Sequence, residues 1–236
     1  TTPLARRAIG REILQKPPGS GTNKSPAYPT GKSATSRLSC RRSMTKETSQ
    51  HLNDGENLDR CKLIAVADGG KSCMNIDELI FPPSGWVPNN QRFPVLIYRN
   101  ALPTGGSSVD FETLFAMHGW TGLWRDGVFD YQHYHSGAHE VLGVGCGSAT
   151  LLIGGPEGQP IEVSMGDCLI LPAGTGHQNL GCSSDFEVIG AYPEGQHADI
   201  QTDAATTDIL AMISSLPAPV TDPIQGSSAG LVESWH

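Results

Sequence analysis

His133, His135, Glu140 and His177 are the residues of this chain whose types and spacing point most directly to chemistry. They fall in two short motifs. The first reads Gly127, five residues, His133-x-His135, four residues, Glu140, six residues, Gly147; the second reads Gly166, five residues, Pro172-x-Gly174, two residues, His177. In an extended segment alternate side chains share a face, so His133 and His135 project together while Tyr134 points away. Ser136-Gly137-Ala138 has the composition of a tight connection, after which Val141-Leu142-Gly143-Val144 resumes as an apolar run. Antiparallel pairing of that run with the first segment would return Glu140 to the histidines. His177 follows the turn Pro172-Ala173-Gly174, which a barrel or sandwich would bring back to the same place. Neutral imidazoles and a carboxylate suit a divalent transition metal (manganese, iron, nickel, copper or zinc), and +2 with one glutamate leaves the site near +1. A six-coordinate ion would keep two positions for water, oxygen or a chelating substrate, the open arrangement that catalysis requires.

Parity sorts the neighbours. Tyr131 shares the face of His133 and His135, and Asn179 that of His177, which makes both candidates for orienting a bound small molecule. Leu142 and Val144 share the face of Glu140 and read as barrel core. His139 adjoins Glu140 and belongs on the opposite face, in a supporting or surface role rather than as a ligand.

The elements that must position these residues are short. Runs at 128–135, 139–145, 148–153, 160–163, 168–171, 177–180 and 185–192, separated by Gly-rich turns, predict an all-β sandwich or barrel. Residues 78–81 and 95–98 add two apolar strands before it. Ser107-Ser108 ahead of an acidic first turn predicts a helix over 109–117, followed by Trp120 and Trp124, which read as core or interface. A second helix is expected at 208–214, and 217–236 reads as an irregular tail. Residues 1 to about 53 are rich in Ser, Thr, Pro, Gly, Lys and Arg and cannot bury enough apolar surface to offset ordering. The domain reading is a disordered basic Ser/Pro-rich extension over 1–73, a barrel over 74–200, and a C-terminal helix with its tail over 201–236.

The two motifs resemble the paired signature of the cupin superfamily, G(x)5HxH(x)4E(x)6G and G(x)5PxG(x)2H(x)3N. Carried over residue by residue, that family's metal ligands fall on His133, His135, Glu140 and His177. The asparagine that closes the second motif would fall at Gly181, whereas this chain has Asn179. Pro88-Asn89-Asn90, Pro94 to Arg99, HYHSGAHEVLGV, LPAGTGH, Asp185-Phe186, Gly190 to Pro193 and Asp222-Pro223-Ile224 are similar to the small YjlB-like single-domain cupins of bacteria and fungi. This resemblance spans roughly residues 75 to 236. It implies an RmlC-like double-stranded β-helix, a jelly-roll barrel with one or two flanking helices, a metal site and a homodimer; it implies no particular substrate.

Charge divides the chain. Residues 1–53 hold ten Lys/Arg against Glu12 and Glu47, or +8; the remaining 6 basic and 22 acidic residues give −16, and the sum is −8. An acidic folded part does not offer the basic surface that nucleic acid needs. No apolar run is long enough to cross a membrane as a helix. The six cysteines show no metal-binding spacing and read as buried thiols. A cytoplasmic location is expected, or a mitochondrial one if the Arg- and Ser-rich N-terminus is a transit peptide.

Two functions follow as expectations. One is a metal-dependent enzyme of dioxygenase, isomerase or decarboxylase type acting on a small oxygen-bearing molecule. The other is a non-catalytic ligand-binding or storage-type cupin with a structural metal, since no dedicated general acid or base stands out beyond the four ligands.

Overall fold

A computed structural model of the chain describes residues 75–102 and 106–236. The disorder and transit-peptide expectations for residues 1–73 lie outside the described residues. The elements in chain order are β1 (Ile76–Leu79), β2 (Val95–Tyr98), α1 (Ser108–Met117), β3 (Trp120–Asp126), β4 (Glu140–Cys146), β5 (Ser148–Ile153), β6 (Gln159–Ser164), β7 (Cys168–Leu171), β8 (His177–Cys182), β9 (Glu187–Pro193), α2 (Thr207–Ser215) and α3 (Leu231–Ser234).

The strands form two antiparallel sheets, one of six strands in the order β1-β2-β7-β4-β9-β3 and one of three in the order β6-β5-β8. Apart from the consecutive pairs β1-β2 and β5-β6, neighbours in the sheets are distant in sequence, as a jelly roll requires. Inward-facing residues of both sheets meet in one apolar core: Val95, Ile97, Leu142, Val144, Leu169, Leu171 and Val188 from the larger sheet, and Ala149, Leu151, Ile153 and Val163 from the smaller. Leu142 and Val144 are thus barrel core, as their parity predicts.

The larger sheet is covered on its other face as well. Leu96, Tyr98, Val141, Ile170, Ile189 and Ala191 pack there against Phe111 and Phe115 of α1 and against Trp120, Ile224, Leu231 and Trp235. Burial on both faces explains why β2 (VLIY) and β7 (CLIL) read as unbroken apolar runs instead of alternating ones. The segment expected to be an irregular tail therefore supplies part of the core. Its anchor is Asp222, fully buried, which accepts N–H bonds from Ile224, Gln225 and Leu231 (each 2.7 Å) and the hydroxyl of Tyr98 on β2.

Three further expectations change. The run at 128–135 is not a ladder strand: it makes isolated bridges, His133 with His177 and Tyr134 with Gln201. Trp120 lies in the core and Trp124 packs against it, as expected, but both belong to an unexpected strand, β3, paired with β9, with a register shift between Thr121 and Trp124. Gly190 makes room for that pairing, because a Cβ there would lie 2.0 Å from the Trp124 indole. Of the cysteines among the described residues only Cys168 is buried; Cys146 is half-buried and Cys182 exposed.

Candidate metal centre

All four predicted ligands come together at one end of the sandwich. Residues 129–133 run alongside β8, with Asn179 N–H donating to Phe129 O (2.8 Å), His133 N–H to His177 O (3.2 Å) and His177 N–H to His133 O (2.9 Å). The Pro172 turn delivers His177: Thr175 N–H closes on Pro172 O (3.1 Å), Gly174 takes φ +89°, and Gly174 N–H donates to His135 O (2.7 Å). Glu140 opens β4, opposite Leu171 of β7. The expected hairpin between the histidine segment and β4 is therefore absent; β4 pairs with β7 and β9, and the histidine segment with the start of β8.

Ligand atoms of His133, His135 and His177 all lie within 4.8 Å of one another. Oε2 of Glu140 stands 3.3 Å from Nε2 of His135 and 3.2 Å from Nε2 of His177. Exposure is 2%, 6%, 3% and 2% for His133, His135, Glu140 and His177, so the cluster is shut from bulk water on nearly every side.

The hydrogen bonds around the cluster determine where its protons sit. Nδ1–H of His133 donates to Tyr131 O (3.2 Å), that of His177 to Thr175 O (3.1 Å), and that of His135 to Asp199 O. With Nδ1 protonated, each neutral ring turns an Nε2 lone pair to the cluster. Glu140 Oε2 is buried there, faced by the Nε2 atoms of His135 and His177. Three imidazole nitrogens and a carboxylate oxygen converging in a dry site are costly unless positive charge joins them. The donor set fits a divalent metal.

The electrostatics of the cluster agree. Burial drives the His133 imidazole down to about 2, with the neighbouring His177 and His135 adding to the effect. Burial opposes ionisation of Glu140, but His135 and His177 outweigh it and hold the carboxyl well below the usual range. For His135 burial works against the charged form, and Glu140 beside it reverses the sign. Without a metal, a positive charge is favoured beside Glu140.

Tyr131 lies at the rim, 42% exposed, with its ring stacked on Phe129 and 5.7 Å from that of His133. Asn179 is half-buried, and its Oδ1 accepts Gly181 N–H (2.9 Å), so the side chain turns along its own strand instead of joining the cluster. His139 faces away from the cluster, as parity predicts, yet it is fully buried. Its Nδ1 accepts Ala173 N–H (3.0 Å) and its Nε2 bonds Pro217 O (3.2 Å), so it braces the turn that carries His177. Burial pulls its imidazole down to about 4.

Two residues escaped the motif reading. Asp199, in the connection after β9, accepts from Ser136 N–H (2.6 Å), Ser136 Oγ (2.5 Å), Gly137 N–H (3.1 Å) and Gln201 Nε2 (2.6 Å), while its own carbonyl holds His135 Nδ1. Tyr192 of β9 places its ring 6.1 Å from that of His135 and accepts Trp124 Nε1–H (3.0 Å). A loop aspartate carries no periodicity to mark it. Tyr192 could have been found only by knowing that β9 lies beside β4.

A jelly roll of two antiparallel sheets with an HxH, a glutamate and a distant histidine gathered at one end defines a cupin. The chain belongs to the YjlB-like single-domain family of that class. It is 39% identical over 157 residues to "Uncharacterized protein YjlB" of Bacillus subtilis, a match covering 66% of this chain and 93% of the relative. That relative is bacterial and gives the organellar reading of the N-terminus no support. No family model matches the chain. Among solved structures, the dTDP-6-deoxy-D-glucose-3,5-epimerase RmlC of Legionella pneumophila is 11% identical with a TM-score of 0.29, over 66% of this chain and all of that one. Acireductone dioxygenase of Bacillus anthracis is 16% identical with a TM-score of 0.27, over 44% of this chain and 69% of that one. Procruciferin of Brassica napus is 21% identical with a TM-score of 0.30, over 54% of this chain, which spans about a third (32%) of that protein.

Proposed function

We propose that His133, His135, Glu140 and His177 bind one divalent transition metal and that the chain is a metal-dependent enzyme acting on a small oxygen-bearing substrate, of dioxygenase, isomerase or decarboxylase type. The observation that supports this most is the convergence of the buried Glu140 carboxylate with three imidazoles whose Nδ1 atoms are committed to carbonyls, Oε2 lying 3.3 and 3.2 Å from Nε2 of His135 and His177. When bound, the ion would supply Lewis-acid polarisation of substrate oxygens or activation of oxygen.

The chain's own residues then have separate tasks. Asp199 O, Tyr131 O and Thr175 O fix the three tautomers, so no ring proton competes for the ligand face. Glu140 lowers the net charge of an M²⁺ centre to +1, which favours an anionic oxygen ligand. The apolar core beneath the cluster, Leu142, Leu151, Ile153 and Leu171 among it, excludes water from that side. We further propose that the chain acts as a homodimer and binds no nucleic acid.

The test is anaerobic reconstitution of the purified chain with each of manganese, iron, nickel, copper and zinc, followed by turnover assays on α-hydroxy ketones, enediols and α-keto acids. Turnover that depends on metal and is lost in His177→Ala supports the enzyme. A metal-loaded chain that binds such molecules without converting any of them supports the non-catalytic, storage-type reading instead. Light scattering at twice the chain mass supports the dimer, and a single chain mass contradicts it.

A further inference from the structure

Beside the candidate centre stand two aromatic rings, those of Phe129 and Tyr131, that take no part in holding it. Phe129, Tyr131 and His133 alternate along the segment that runs against β8, which puts their side chains on one face. The rings bear this out. Phe129 stacks on Tyr131 at 4.9 Å and 15°, Phe129 meets His133 edge-on at 5.1 Å and 71°, and Tyr131 lies 5.7 Å from His133. Exposure climbs along this cluster from 2% at His133 to 42% at Tyr131 and 44% at Phe129. It therefore leads from the buried ligand face to solvent.

Scattered exposed apolar residues need no explanation, but two stacked rings continuous with a buried polar cluster are not scattered. Their backbone is also pinned: Asn179 N–H holds Phe129 O (2.8 Å), Gln178 Nε2–H holds Asp130 O (2.8 Å), and Tyr131 O fixes the His133 tautomer. Rings presented this way lose little conformational entropy when a ligand covers them. Flat apolar surface against π-faces is what they bind best.

Resting on the metal reading above, we propose that Phe129 and Tyr131 are the substrate-recognition platform of the centre. The substrate class is an aromatic ring carrying two adjacent oxygen donors, its oxygens directed to the metal and its ring covering the pair. A small aliphatic chelator satisfies the +1 centre equally but leaves the platform bare. The pair thus contributes selectivity between ring-bearing and ringless chelators and none to metal retention.

The metal-loaded full chain is titrated with 4-nitrocatechol, whose visible spectrum shifts on coordination, and with oxalate by competition. Phe129→Ala and Tyr131→Ala are expected to weaken nitrocatechol about tenfold each, within the range one aromatic contact contributes, and to leave oxalate affinity and metal content unchanged. Tyr131→Phe keeps the ring and is expected to retain wild-type nitrocatechol affinity. Unaltered nitrocatechol affinity in both alanine variants at full metal content overturns this proposal alone. So does a variant that falls apart from dimer to monomer with its affinity unchanged, since the pair is then a subunit interface. A wild-type chain that takes up no metal overturns both readings.

Discussion

The backbones of His133 and His177 are hydrogen-bonded to each other in both directions, at 3.2 and 2.9 Å, and their rings lie 4.0 Å apart between centroids. One residue comes from an irregular segment and the other from the first position of β8. Their isolated bridge fixes the two side chains relative to each other, so the geometry of the candidate centre is a property of the fold. Its remaining freedom lies in His135 and Glu140, each held by a different contact.

Glu140 can be tested by a change that keeps its shape. In Glu140→Gln the amide supplies an N–H to an Nε2 lone pair, so the metal-free chain is expected to be at least as stable as wild type by chemical denaturation. Metal affinity is expected to fall by more than tenfold, since an anionic ligand of the ion is gone. Stability lost together with affinity would show that the carboxylate is structural.

Asp199 positions the His135 segment without facing the cluster. Asp199→Ala removes four accepted hydrogen bonds around Ser136, Gly137 and Gln201. Metal affinity is expected to drop by about 10- to 100-fold, as for other supporting groups of metal ligands. Competition with a chromophoric chelator measures it, and unchanged affinity would leave Asp199 a loop residue only.

Much of this fold is legible in the sequence. Turn residues bounded β4 through β9 closely because each strand is short and its ends are marked by Gly or Pro. The four candidate ligands could be singled out because parity and motif spacing survive without knowledge of topology. What was hidden depends on contacts across the fold. The 128–135 run looked like a strand because its alternation is real, but its partners are the first residue of β8 and Gln201, so it forms bridges and no ladder. The C-terminal segment looked irregular because it is; its order comes from Asp222 and from Trp235, whose ring stacks on Phe93 at 4.7 Å. No periodic pattern announces either contact.

Tyr98 and Asp222 make that C-terminal order testable. The Tyr98 hydroxyl donates to Asp222 and accepts Leu231 N–H (3.1 Å) in a fully buried setting. Tyr98→Phe is expected to cost about 1.5 to 3 kcal/mol, the range for a hydrogen bond to a charged group, and to expose the chain after Pro217 to limited proteolysis. Metal content is expected to stay at the wild-type value. Wild-type resistance to protease would contradict the anchor.

His139 predicts a pH dependence of stability. Its folded imidazole titrates at about 4 because of burial, against an unfolded value of about 6.5. The unfolded chain thus binds the proton first, and stability is complete above about pH 6.5 and lost as pH falls towards 4. The difference corresponds to about 3 kcal/mol, and a bound cation nearby pushes in the same direction. Denaturation curves at pH 7.5 and 4.5 are expected to differ less in His139→Gln than in wild type; an equal difference would assign the loss to other groups.

The metal itself is the most direct measurement. Elemental analysis of the purified full chain beside His135→Ala and His177→Ala is expected to find about one divalent transition metal per wild-type chain and little in either variant, all three having the same circular dichroism. Equal metal content in the three proteins would contradict the centre.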